Sequence, residues 1–354
     1  MVFTEKKSDF HKMLEVRVAE YFTKNNLSEK GDWRLYFKTV FWLLSMISTY
    51  VVLISLPQLS LSWQVALCLS HGLSWAGIGF NVVHDAAHNS YSDNKKVNKV
   101  ISYLFDVVGA SNYFWKTKHN VLHHTYTNIE GADDDISTPG NILRFHIHQK
   151  HRWWHYFQSI TSVIFYSILY ISWISQNDMQ KYISEKIGEK IIPPMNSTQK
   201  KLFWLFKILY LIIYFIIPIS LFGWAGLLGW LIAASFCGFV ISMVFQLAHI
   251  VGKADFPIPT ENGGIQSDFA KHQIATTVDF ATKDPITSWF VGGLNFQVVH
   301  HLFPRISHVH YPKIQKIVKE TCIEYGVKYN EYKTTLGAVV AHFWHMTKLG
   351  LNIN

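Results

Sequence analysis

Polar and apolar positions first alternate at helical spacing along this chain and then separate into long apolar blocks. From Asp9 to Lys24, Phe10, Met13, Leu14, Val18, Tyr21 and Phe22 recur near helical spacing. This predicts an amphipathic helix, lying on a membrane surface or packed on the water-soluble part. Four apolar runs follow, over about residues 35–56, 61–83, 202–222 and 227–248, and each approaches the roughly 20 residues that cross a bilayer. Pro57-Gln58-Leu59-Ser60 joins the first pair and Gly223-Trp224-Ala225-Gly226 the second. Both links are uncharged and long enough only for turns, so the runs form two helical hairpins.

Cations flank the opposite ends of these hairpins: Lys30, Arg34 and Lys38, then Lys95, Lys96 and Lys99, then Lys200, Lys201 and Lys253. The positive-inside rule therefore turns both uncharged links outward and keeps both termini and the central segment cytosolic. A fifth apolar run, about 156–174, is also long enough to cross. A crossing there would put the histidines that follow the first hairpin and those that follow the second on opposite sides. The run is accordingly read as an in-plane or re-entrant helix, entered through His151-Arg152-Trp153-Trp154-His155, whose rings and cations suit the headgroup region. Pro257, Pro259, Gly263 and Gly264 mark a loop, and a closing helix over 312–326 sets Ile314, Ile317, Val318 and Cys322 on one face. The expected division is a cytosolic amphipathic segment (1–34), a first hairpin (35–83), a cytosolic stretch with an in-plane helix (84–201), a second hairpin (202–249) and a cytosolic cap (250–354).

Composition agrees with a membrane class. Hydrophobic residues are 49% and charged residues 16%, against roughly 25% charged in soluble domains. The net charge of +8 fits basic cytosolic loops, and no nucleic-acid-binding motif accompanies it. Two of the three cysteines, Cys68 and Cys237, lie inside apolar runs far from any Cys-x-x-Cys spacing, so neither a disulfide framework nor a thiolate metal site is expected. The polar first 34 residues lack the apolar core of a cleaved secretory signal.

Chemistry enters with the 19 histidines. His84-Asp85-Ala86-Ala87-His88 follows the second run and places two imidazoles on one face of a continuing helix. His119-Asn120-Val121-Leu122-His123-His124 repeats the four-residue spacing and adds a neighbour pointing elsewhere, as a bridge to a second metal requires. Gln297-Val298-Val299-His300-His301 forms a third cluster, and His249 closes the fourth run. His11, His71, His146, His148, His155, His342 and His345 stand apart and read as solvated or hydrogen-bonded rings. Imidazole suits zinc, copper, iron and nickel, and eight clustered rings exceed one ion and suffice for two. The carboxylate-bridged di-iron bundle is excluded, because no Glu-x-x-His occurs.

The order and text of these clusters resemble the integral-membrane fatty-acid desaturases over nearly the whole chain. The likeness rests on residues 81–88, on His123-His124-Thr125-Tyr126-Thr127-Asn128 through Asp133-Asp134-Asp135-Ile136, and on Gln297-Val298-Val299-His300-His301-Leu302-Phe303-Pro304. Gln297 at the head of the third box marks the front-end subgroup, which places a double bond between an existing one and the carboxyl end. His272-Gln273-Ile274-Ala275-Thr276-Thr277 is also similar to that subgroup. The resemblance implies an all-α integral membrane protein, with four transmembrane helices in two hairpins and a cytosolic helical cap holding a histidine-ligated di-iron centre. It implies His84, His88, His119, His123, His124, His249, His300 and His301 as iron ligands, and Gln297 as a ninth through its amide oxygen. Two Fe ions cycling between Fe2+ and Fe3+, with O2 as co-substrate, would remove two neighbouring hydrogens from a long-chain unsaturated fatty acyl-CoA or acyl-lipid.

Asp85, Asp133, Asp134 and Asp135 lie where they could accept the second N–H of ligating histidines. The fused haem domain of many eukaryotic relatives is marked by His-Pro-Gly-Gly, which does not occur. A separate electron donor is therefore expected, a ferredoxin or a free cytochrome with its reductase, in a bacterial cytoplasmic membrane. Lys116, Lys118, Arg144, Lys150 and Arg152 read by default as the cations of positive-inside topology, and alternatively as a basic face for such an acidic carrier or for acyl headgroups. The rival readings are a membrane hydroxylase with the same boxes and a membrane metal or haem transporter. Transport would place histidines inside the crossings, whereas here they cluster at helix ends.

Overall fold

The computed structural model of the protein describes residues 1–353, nearly all of them helical or in short connections. The amphipathic stretch forms α1, Asp9–Lys24, capped by the Ser8 side chain on His11 N. Two apolar helices follow, α2 (Trp33–Ser55), capped by Asp32, and α3 (Leu61–Ala87). A continuous helix α4, Trp153–Ser184, leads to α5 (Ser197–Phe222) and α6 (Trp224–His249). These five helices, α2 to α6, are long and apolar enough to cross a membrane. The in-plane segment expected over 156–174 is thus part of a longer helix of 32 residues.

Both expected turns are present. Gly223 ends α5 at φ 58° and ψ −135°, a conformation that a side chain makes costly. α5 exposes Trp204, Leu205, Ile208, Leu211 and Ile216. Such a long apolar face is stable only against lipid or another apolar surface.

The chain divides into two compact units. One comprises Asp32–Thr117 and Val163–Met243, and so contains α2, α3, α5 and most of α4 and α6. Its helices approach closely through small residues: a Cβ on Gly72 would lie 2.2 Å from Ala233 O, and one on Gly77 would lie 2.4 Å from the Trp42 ring.

The other unit comprises Met1–Gly31, Lys118–Ser162 and the chain from Val244 onward. Here α1 differs from a membrane-surface helix. Its apolar face, Phe10, Leu14, Val18 and Phe22, is buried in a core with Phe296, Val298, Val299, Ile314, Val318 and Cys322. The closing helix is Tyr311–Glu324, with Ile314, Val318 and Cys322 buried as its spacing predicts. A further helix, Thr335–Leu351, was not foreseen. Three ladders of two-residue strands qualify the all-α expectation, including Val2–Phe3 parallel to Gly264–Ile265 and Asp279–Phe280 parallel to Glu331–Tyr332.

Candidate metal centre

In the unit of apolar helices, the first box forms as α3 ends. The helix widens to a π turn at Gly79–Val83 and then resumes at His84–Ala87. The His84 and His88 rings stand 4.8 Å apart, and both rest on Trp115. Asp85 is buried in the same turn and interacts electrostatically with Lys38, whose ammonium donates to Asn81 Oδ1 at 2.9 Å.

The second box belongs to the other unit and departs from the α-helical spacing expected of it. Thr117–His123 is a π turn, and His124 N donates to His119 O, five residues back, at 3.1 Å. One more residue per turn brings His119 and His124 onto one face, with their Nε2 atoms 3.2 Å apart. Single π turns are frequent at functional sites, where the inserted residue re-aims side chains.

The aspartates divide their work. Asp133 Oδ2 accepts from His123 Nδ1 at 2.9 Å and from Asn128 N at 2.9 Å. Asp135 pairs with Lys118 at 2.6 Å and stands 3.6 Å from His123 Nδ1. Asp134 meets Lys118 at 3.4 Å. Burial of His123 opposes its protonated form, but the charge and hydrogen bond of Asp133, with Asp135 behind it, outweigh this and raise its pKa.

The third box is the short helix Gln297–Leu302, whose first turn is held by Asp279 Oδ1, accepting from Val298 N at 3.0 Å. Asp279 also accepts from Gln315 and Tyr329. Burial pushes its pKa up to about 6 against these hydrogen bonds. His301 Nδ1 donates to Gln273 Oε1 at 2.9 Å, which fixes the proton on Nδ1 and leaves the lone pair on Nε2. His300 Nδ1 is 3.1 Å from the Tyr311 hydroxyl. His249 ends α6 fully buried, and Asn128 Nδ2 clamps the backbone around it by donating to the carbonyls of His249, Asp255 and Thr276.

These elements bring the rings of the second and third boxes and His249 together. One nitrogen from each of His123, His249 and His301 lies within 4.8 Å of the others, and the same holds for His124, His300 and His301. His123 Nε2 is buried without a hydrogen-bond partner, and the ring nitrogens of His249 and Gln297 Oε1 make no hydrogen bond of good geometry. The Gln297 side chain and the Thr276 backbone both meet the His249 ring. An imidazole-rich set with one amide oxygen, and with Nδ1 protons anchored on Asp133 and Gln273, fits divalent iron.

Sequence reasoning missed the anchors. Gln273 lay inside a segment singled out by resemblance, but nothing pointed to its contact with His301. Tyr311 and Asp279 carried no signal. One expectation is corrected. The basic docking face does not form as drawn, since Arg144 is buried with its guanidinium on the carbonyls of Ile147, Gln149 and Leu349, and Lys118 is held by Asp134 and Asp135. His308 and His310, which follow the third box, are buried, and His310 Nε2 lies 3.2 Å from Lys30 O. Among the isolated rings, His155, His342 and His345 bond to backbone carbonyls, as read.

Comparison with known proteins identifies the family. Residues 60–333 match the family model described as fatty acid desaturase. The chain is 35% identical over 351 residues to the sn-1 linoleoyl-lipid 6-desaturase of Arthrospira platensis, covering 98% of this chain and 94% of that one. It is 34% identical to the protein of the same name from Synechocystis sp., covering 98% and 97%. It is 33% identical to the acyl-lipid (8-3)-desaturase of Physcomitrium patens, covering 97% and 72%. The chain therefore belongs to the fatty acid desaturase family and is an oxidoreductase that introduces double bonds into fatty acyl chains.

Proposed function

We propose that this protein is a front-end desaturase of lipid-linked, already unsaturated long acyl chains, acting through two irons in a membrane. The observation that carries the reading is the convergence of His123, His249 and His301, and of His124, His300 and His301, beside the amide of Gln297. Lipid linkage is supported by the names of the relatives, two of which are called linoleoyl-lipid 6-desaturases.

His84, His88, His119, His123, His124, His249, His300, His301 and Gln297 would hold the two irons, which when bound supply the activation of dioxygen that an unreactive C–H bond requires. The protein's own residues do the rest. Asp133 and Gln273 hold the protons of His123 and His301 on Nδ1, so that each ring presents Nε2. Every proposed ligand is at most 7% exposed, which keeps bulk water from a reactive site. Gln297 offers a neutral amide oxygen, harder and less basic than an imidazole, at a position where a weaker donor leaves the metal more electron-poor.

The proposed topology has four crossings, with α4 in the plane of the membrane. Support comes from distance. Nitrogens of His123 and His249 lie within 4.8 Å, whereas three crossings by α4, α5 and α6 would leave these residues on opposite faces. α4 also begins at Arg152, Trp153 and Trp154, with the Arg152 guanidinium over the Trp154 ring, a composition suited to the headgroup layer. Sidedness follows from the lysines and makes the histidine face cytosolic. Electrons would come from a separate carrier, a ferredoxin or a free cytochrome.

The test is expression in a host fed linoleate with a compatible ferredoxin system, followed by mass spectrometry of fatty-acid methyl esters. A product two hydrogens lighter supports the reading. A hydroxylated product would transfer the chain to the hydroxylase alternative, and iron-loaded protein with no product across a panel of acyl chains would remove the proposal.

A further inference from the structure

A second feature lies apart from the histidine boxes, inside the unit of apolar helices. A cavity of about 330 Å³ is enclosed by α2, α3, α5 and α6, from the exposed Pro57 and Ala225 at the hairpin turns to the buried His71 and Trp75. Its deep end, at His71, is 13 residues before His84 on α3, or about 20 Å along the helix. The volume is at the small end for ligand pockets, and the walls are mainly apolar.

Two polar groups at the buried end define what fits. The Thr49 hydroxyl donates to Ser45 O at 2.7 Å and lies 2.8 Å from His71 Nδ1. With that proton on Ser45 O, the shortest of its contacts, His71 donates from Nδ1. The lone pair then sits on Nε2, which is buried in the cavity wall without a partner. Beside it, with ring centroids 5.7 Å apart, the Tyr214 hydroxyl accepts from Trp75 Nε1 at 3.4 Å and keeps its own proton to give. The cavity therefore presents one acceptor and one donor side by side in an apolar wall. A neutral hydroxyl answers both, since it donates once and accepts as well. A carboxylate cannot donate to His71 and would lose its hydration, and a plain hydrocarbon tail would leave the two groups unsatisfied.

We propose that this cavity is a binding site for a neutral, single-hydroxyl amphiphile, of the long-chain alcohol class, that enters from the outward half of the membrane and seats its hydroxyl between His71 and Tyr214. The site is independent of the desaturase reading, because neither residue touches the histidine boxes.

The experiment uses the full-length protein in phosphatidylcholine nanodiscs with a diazirine-bearing hexadecanol, photolysed and mapped by peptide mass spectrometry. Labelling is expected on α3 and α6 around Cys68, Trp75 and Trp230. Unlabelled hexadecanol should compete about tenfold better than methyl hexadecyl ether, which accepts from Tyr214 but has nothing to donate to His71. Palmitate should compete more weakly than the alcohol. His71→Leu should erase the preference for alcohol over ether, whereas Tyr214→Phe, which removes the donor that both ligands use, should weaken both and leave the preference in place. Equal competition by alcohol and ether, or labelling confined to other helices, would overturn the proposal and leave an apolar tail or a water as the occupant. Should His71→Leu fail to fold, the alcohol-to-ether ratio on the unaltered protein still decides. Desaturation assayed on the same preparation reports separately on the catalytic reading.

Discussion

At the scale of single residues, the histidines were legible because metal chemistry restricts which side chains can serve, and adjacent rings at helix ends have few other uses. Their anchors were not. Gln273, Tyr311 and Asp279 reach the boxes only through the fold, and each has an ordinary structural role elsewhere in proteins. Of four candidate aspartates, Asp133 alone bonds to a box histidine at hydrogen-bond distance among the contacts described above. Asp133→Asn keeps the shape but can present an N–H to His123 Nδ1. It should lower iron affinity or activity by about 10- to 100-fold, measured as iron per chain and product formed. Gln297→His should retain iron while activity falls; undiminished turnover in the purified variant would remove the amide's special role.

At the scale of elements, the apolar runs were readable because lipid-facing helices need length and apolarity on all sides. Helix Thr335–Leu351 escaped notice because its 17 residues fall short of a crossing. The π turn at Thr117–His123 escaped because a four-residue spacing looks α-helical on paper; the widened turn is set by packing and shows only in the bond from His124 N to His119 O. Val121 within it is 56% exposed, so deleting it removes little packing but returns the segment to α register. That deletion should abolish iron binding with helicity by circular dichroism unchanged, whereas Val121→Ala should behave as the parent. The fate of α1 is also testable. Leu14 is fully buried, and Leu14→Ala should cost about 2–5 kcal/mol of stability, seen as a lower unfolding temperature. A helix lying on the membrane surface would show almost no change.

At the scale of the whole molecule, the sequence yields two hairpins and a parity argument, and the closeness of His123 to His249 gives that argument a distance. All three native cysteines are buried, so an introduced cysteine can report its own side of the membrane. Gly188→Cys, beyond α4, should react only when reagent reaches the cytosolic side, and Ser60→Cys only from outside; labelling of Gly188→Cys from outside would make α4 a true crossing. The central claim is that the site adds a double bond on the carboxyl side of one already present. The most direct measurement is the position of the new bond in methyl esters from cells fed linoleate, located by mass spectrometry of adducts. The account predicts a triene whose third bond lies between the carboxyl group and the original pair; a new bond on the methyl side of that pair would contradict it.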